Sequence, residues 1–115
     1  MARIDYVELP SATAHELTRA FYARAFGWQF TDFGPDYSAT VTGDVDLGLD
    51  GDPSGKLAAP LPVVRVDDLE VAFDAVMKAG GVIAKGIFSF PGGRRFHLID
   101  PGGNELAVWQ SAEGH

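Results

Sequence analysis

Asp100-Pro101-Gly102-Gly103-Asn104-Glu105-Leu106-Ala107-Val108 sets a Gly-rich turn immediately before an alternating, strand-like run. The first half of the chain carries the same device, with Gly43-Asp44 followed by Asp46-Leu47-Gly48-Leu49. Each stretch closes a series of elements in the same order, so the chain reads as a repeat with a period near half its length.

Working back from the earlier stretch, Tyr37–Val41 and Trp28–Phe33 are strand-like runs bounded by Gly34-Pro35 and Gly27. Before them Leu17, Ala20, Phe21 and Ala25 recur at helical spacing, with Thr13 and Glu16 placed as a capping box and Gly27 as the stop. Arg3–Leu9 alternates as a strand and ends at Pro10. Val45–Leu49 completes this first module, about residues 3–50.

Residues 51–60, rich in Gly, Pro, Asp and Ala, read as a linker. The second module, about 61–110, begins with the strand Leu61–Val66. Asp67 and Glu70 then cap a helix whose apolar face is Leu69, Ala72, Phe73, Val76 and Met77. Gly80-Gly81 ends it, and Val82–Ile87, Arg94–Ile99 and Glu105–Trp109 follow as strands. The expected fold is α+β: two βαβββ modules within a single domain spanning 1–115, forming a cupped, partly open mixed sheet with a helix outside each module.

Composition narrows the function. The 115 residues carry a formal net charge of −7, and only Arg94-Arg95 places two of the nine Lys and Arg side by side. A nucleic-acid partner is met by a basic patch, so neither nucleic acid nor an anionic membrane surface is expected. No apolar run approaches the length of a transmembrane helix, and the start lacks a signal-peptide layout. The absence of cysteine excludes disulfides, thiolate metal sites and a Cys nucleophile, and accords with a cytoplasmic location. There is no dinucleotide or phosphate loop and no nucleophile elbow, and Ser11, Ser38, Ser54, Ser89 and Ser111 lack patterned partners.

Three stretches resemble the glyoxalase/bleomycin resistance protein/extradiol dioxygenase superfamily, the vicinal oxygen chelate group. They are Phe21-Tyr22-Ala23-Arg24-Ala25-Phe26-Gly27-Trp28, Val64-Arg65-Val66-Asp67-Asp68-Leu69 and Phe96-His97-Leu98-Ile99-Asp100 running on through Asn104 to Leu106. The resemblance implies a cavity inside the cup, a homodimer, and in the enzymes a divalent metal held by His or Glu on the first and last strands of each module. Members without metal sequester a ligand. In this chain the positions matching those ligands are Tyr6, Gly48, Leu61 and Ala107. Glycine, alanine and leucine side chains coordinate no cation, and one tyrosine does not replace several His or Glu ligands.

Metal-free binding of a small aromatic or cationic molecule is therefore the expected activity, with no cofactor. Alternation places Val7, Leu9, Val64, Val66, Leu106 and Val108 toward the helices, and Tyr6, Glu8, Leu61, Val63, Arg65, Ala107 and Trp109 toward the ligand. An alternative is a lyase, isomerase or dioxygenase that uses a shifted divalent metal site at Glu8, Asp46 and Glu105, or His97 as acid–base group. A further alternative is a protein-interaction module. His15 is expected off the apolar face of its helix and exposed, and His115, the last residue, disordered.

Overall fold

Alternating β-branched and polar residues, punctuated by Gly and Pro turns, form eight strands, with two helices, in the computed structural model, which describes residues 2–112. His115 lies outside the described residues. In chain order the elements are β1 (Arg3–Pro10), α1 (His15–Phe26), β2 (Phe30–Asp32), β3 (Tyr37–Thr40), β4 (Asp46–Asp50), β5 (Leu61–Arg65), α2 (Leu69–Lys78), β6 (Val82–Phe90), β7 (Gly93–Ile99) and β8 (Glu105–Ser111). The class is α+β, in the order β-α-β-β-β twice. The chain divides into two compact units, one being Tyr6–Leu61 and the other joining the residues up to Asp5 to those from Pro62 onward.

In the Tyr6–Leu61 unit the strand order is β2-β3-β4-β1. β4 runs parallel to β1, with Tyr6 opposite Asp46 and Glu8 opposite Gly48, while β2–β3 and β3–β4 are antiparallel. Helix α1 buries no residue, and Leu17 and Phe21, expected on a packed apolar face, are exposed. Its tether is polar instead: Arg19 makes a two-bond pair with Asp32, and His15 bridges Ser11 and Ser38. The N-cap is Ala14, with no side-chain cap, so the Thr13/Glu16 box does not form. Gly27 ends the helix in the left-handed conformation (φ 71°), its N–H bonding the Ala23 carbonyl. That turn folds Trp28 back onto Tyr22 and Phe26, with ring centroids 5.5 and 5.0 Å away.

In the other unit the order is β5-β8-β7-β6, with β5 parallel to β8 and the remaining pairs antiparallel. Here Leu69, Ala72, Phe73 and Val76 of the expected apolar helix face are packed, while Met77 is exposed. Leu69 sits against Phe96, Leu98 and Val108, surrounded by Val64, Val66, Ala72, Phe73, Val76 and Leu106. The expected inward positions Val64, Val66, Leu106 and Val108 pack here, but Leu61, Val63 and Ala107, expected toward the ligand, are buried as well. Phe96 is fully buried and meets Phe73 edge-on at 5.0 Å. The cap of α2 is Asp68 rather than Asp67, its carboxylate accepting from the Val71 N–H at 3.1 Å. Glu70 does not reach back to close a box, because Arg94 holds its carboxylate.

The Asp100–Asn104 turn explains its own composition. The Asp100 carboxylate accepts from the Asn104 N–H at 2.9 Å and from its side-chain amide, while Gly103 adopts φ 87°. These bonds, the Asn104 backbone first, hold the Asp100 carboxyl below its ordinary range. Only glycine takes that φ without strain.

Candidate functional site

The register of β5, β8, β7 and β6 places two rows of side chains on the sheet face opposite α2. Val63, Ala107, His97 and Lys85 are successive cross-strand partners, as are Arg65, Trp109, Arg95 and Phe88. Partners directly opposite share a face, so the two rows lie side by side. Irregularities in β6 between Ile83 and Lys85, and between Lys85 and Phe88, bring both Lys85 and Phe88 into these rows.

His97 is the centre of the first row and is 4% exposed. Its Nδ1 lies 2.8 Å from Glu105 Oε2, and the ring stacks on Phe88 at 5.9 Å. Its Nε2 is buried and has no hydrogen-bond partner among the described residues. An ionised Glu105 only accepts, so Nδ1 carries the proton and Nε2 the lone pair in the neutral ring. Burial, the largest influence, pushes the His97 pKa down, Arg95 and Lys85 push the same way, and the Glu105 bond pulls back.

This neutral, buried histidine gives a pH dependence whose sign follows from linkage. The unfolded chain takes up a proton near the ordinary histidine pKa of ~6.5, the folded one only at lower pH. Stability from this group is therefore complete above ~6.5 and declines as pH falls below it. Urea midpoints are expected to drop between pH 7.5 and 5.5, and His97→Phe to flatten that drop. An unchanged slope in the variant would assign the effect elsewhere. Asp32, Asp46 and Asp100, held below their ordinary range, act only at more acidic pH.

Cations and rings alternate along the second row. The Arg65 guanidinium lies 5.0 Å from the Trp109 ring centroid, and Arg95 lies 5.5 and 5.7 Å from those of Phe88 and Phe90. Lys85 approaches Phe88 at 6.0 Å. Trp109 Nε1 donates to Asp5 Oδ1 at 3.0 Å, and Asp5 is 7% exposed. Both carboxylates of this face are thus engaged, Asp5 by Trp109 and Glu105 by His97.

The Tyr6–Leu61 unit treats its corresponding positions differently. The hydroxyls of Tyr6 and Tyr37 bond each other, and Tyr37 donates to Glu8 Oε2 at 3.0 Å. Burial, with Glu8 and Tyr6 adding to it, raises the Tyr37 pKa far above the usual phenol range. Both hydroxyls occupy the space a Cβ on Gly48 would need. The small residue there therefore makes room for two tyrosines instead of leaving an opening. Sequence pattern did not indicate Tyr37, which comes over Gly48 through the β3–β4 pairing.

The residues present do not fit the metal implied by the resemblance. Tyr6 bonds Tyr37, Gly48 is covered, and Leu61 and Ala107 are buried at 2% and 0% exposure. The shifted set of Glu8, Asp46 and Glu105 is not assembled either: among the described residues no three His, Cys, Asp or Glu side chains are grouped to hold an ion. Asp46 shows why. Its carboxylate accepts from the Thr40 and Thr42 hydroxyls and the Thr42 and Gly43 N–H groups. Burial opposes its charge, but those bonds outweigh burial and hold the carboxyl below its ordinary range.

Two further features were not legible. Ser11, His15, Ser38 and Asp32 form a continuous relay, Ser11 Oγ to His15 Nδ1 at 2.7 Å, Nε2 to Ser38 Oγ at 3.1 Å, and Ser38 to Asp32 at 2.6 Å. His15 is consequently half-buried rather than exposed, and Ser11 and Ser38 do have partners. The residues come from three elements and the β1–α1 loop, so no spacing announces them. Separately, a groove of about 620 Å³ runs along Val7, Trp28, Thr31, Val41, Val45 and Leu47. Val7 therefore lines a groove on its unit.

The chain is thus a small α+β protein of two βαβββ modules, with the Asp100–Asn104 turn before the closing strand. The glyoxalase/bleomycin resistance protein/dioxygenase superfamily model matches residues 3–108, and the chain belongs to that superfamily. It is similar in structure to a superfamily member from Vibrio splendidus 12B01 (TM-score 0.72, 18% identity, covering 96% of this chain and 99% of that one). It is also similar to methylmalonyl-CoA epimerase from Mycobacterium tuberculosis (TM-score 0.71, 16% identity, 95% and 87%). A Mn(II)-bound glyoxalase from Novosphingobium aromaticivorans gives a TM-score of 0.69 at 18% identity, covering 96% of this chain and 40% of that one. At such identities the likeness establishes the fold. No functionally curated protein matches the sequence. No helix among the described residues is long and apolar enough to cross a membrane.

Proposed function

We propose that the chain binds a small aromatic anion, without the superfamily's usual metal site, on the face formed by Arg65, Trp109, Arg95, Phe88 and His97. The observation that carries this reading is the alternation of guanidinium groups and rings in the second row. A ligand ring finds Trp109 and Phe88 to stack on, and its carboxylate finds a planar fork at Arg65. The cationic ligand expected from the sequence is disfavoured. Arg65 already lies over the Trp109 ring, and Asp5 and Glu105 are engaged by neighbours. Bringing a further positive charge among Arg65, Arg95 and Lys85 adds repulsion in a partly buried place.

Trp109 fluorescence in a Trp28→Phe background provides the measurement. Benzoate-type acids are expected to quench it saturably, while trimethylanilinium and neutral benzyl alcohol do not. Arg65→Met, which keeps an apolar chain over the indole, is expected to weaken acid binding about tenfold, the loss of one charge-assisted contact. Tight binding of the ammonium compound, or acid binding indifferent to Arg65→Met, would sink the anion reading.

The homodimer implied by the resemblance is proposed as the assembly that covers the exposed apolar side chains of the first module, among them Phe21, Phe26, Phe33 and Val41. Sedimentation equilibrium is expected to give twice the chain mass. A monomer at every concentration would refute it.

A further inference from the structure

We propose that His97 Nε2 accepts a hydrogen bond from the ligand, so that the bound class is an aromatic carboxylate that also carries a hydroxyl donor. The inference rests on the anion-binding reading above and adds to it a second, independent recognition point. Three observations carry it.

The first is the orphaned atom. A buried nitrogen without a partner forfeits its hydration with nothing in return, and native structures rarely leave one without reason. His97 is 4% exposed, its Nδ1 is taken by Glu105, and Nε2 is the unpaired side. The second is the fixed proton. Glu105 lies on β8, two residues before Ala107, and Ala107 is the cross-strand partner of His97. From there its carboxylate reaches Nδ1, and this dictates that Nε2 offers a lone pair. A partner for it must therefore be a donor. A carboxylate or ether oxygen does not qualify.

The third is position. His97 shares its sheet face with Trp109 and Arg95, its immediate β7 neighbour on that face, and its ring stacks on Phe88, which Arg95 also approaches. A ring held against Phe88 and anchored through its carboxylate has its remaining substituents beside the imidazole. The charges facing His97 are Glu105 from β8, Arg95 from β7 and Lys85 from β6. None of them supplies Nε2 with a donor.

The experiment uses the full chain at pH 7.5, with benzoate, 3- and 4-hydroxybenzoate and the corresponding methoxybenzoates measured by calorimetry. At least one hydroxybenzoate is expected to bind about tenfold more tightly than benzoate, and its methoxy counterpart is expected to gain nothing. His97→Phe, which keeps a ring against Phe88, is expected to erase the hydroxyl advantage, read as the ratio of hydroxybenzoate to benzoate affinity within that variant. Because that variant can fail to fold, imidazole ¹⁵N spectra of the unaltered protein provide a second measurement. The Nε2 resonance is expected to move upfield with the hydroxybenzoate and stay in place with benzoate. If benzoate binds but no hydroxyl isomer gains, or if Nε2 is unmoved by a tighter-binding isomer, the inference fails and anion binding stands. If none of the acids binds, both fail.

Discussion

Trp109→Ala is expected to lower the unfolding free energy by about 3–4 kcal/mol, well beyond what loss of a ligand-facing wall would cause. The indole is packed between Arg65 and Phe90, at 5.0 and 6.1 Å, and truncation forfeits both contacts. It also removes the N–H that serves Asp5, a carboxylate only 7% exposed. Leaving such a group without its donor costs roughly 1–3 kcal/mol by itself. Trp109→Phe separates the two contributions, since it keeps a ring and loses only the donor. Replacing Asp5 by Ala in the Trp109→Phe background should recover part of that loss, giving a positive coupling in a double-mutant cycle. Urea midpoints provide the measurement. A Trp109→Ala protein with an unaltered midpoint would return Trp109 to the role of a pocket wall and nothing more.

This dual role marks the boundary of what the sequence makes legible. Alternation along β5 and β8 correctly separates Val64, Val66, Leu106 and Val108, packed near α2, from Val63, Arg65, Ala107 and Trp109 on the opposite face. That separation is legible because a strand's side-chain period is two and one face must be dry. The partner of Trp109 is not legible, because Asp5 stands 104 positions away. The same reason hides the Ser11–His15–Ser38–Asp32 relay. Helix α1 shows the limit in another form. Leu17 and Phe21 recur at helical spacing, but the helix is held by Arg19 and His15 and leaves those apolar side chains exposed. Periodicity reports that a face exists and does not report what covers it. Likewise His97 is identifiable as a strand histidine, whereas the Glu105 bond to its Nδ1, which leaves the lone pair on the buried Nε2, comes from the neighbouring strand.

Gly48→Ala is expected to destabilise the protein by about 2–3 kcal/mol, against the usual benefit of removing a strand glycine. Relief of backbone entropy favours alanine by only ~0.5–1 kcal/mol. Steric conflict is larger, because the new Cβ meets the hydroxyls of both Tyr6 and Tyr37. The backbone has little room to retreat, since Gly48 is paired with Glu8 on one side and Ala39 on the other. The tyrosines cannot swing away freely either, as Tyr37 also holds the 9%-exposed Glu8. Thermal and urea unfolding of Gly48→Ala, Tyr6→Ala and the double variant checks the cause. Tyr6→Ala empties part of the contested space, so the double variant should be more stable than the sum of the single losses by at least ~1 kcal/mol. Strict additivity would mean that the tyrosines do not fill the position. The same crowding bears on the superfamily's metal: a carboxylate grafted at position 48 has no volume to enter until Tyr6 and Tyr37 are both shortened. Gly48→Glu alone should therefore unfold the first module without gaining metal affinity, a result readable from calorimetry with Mn²⁺ together with the unfolding curve.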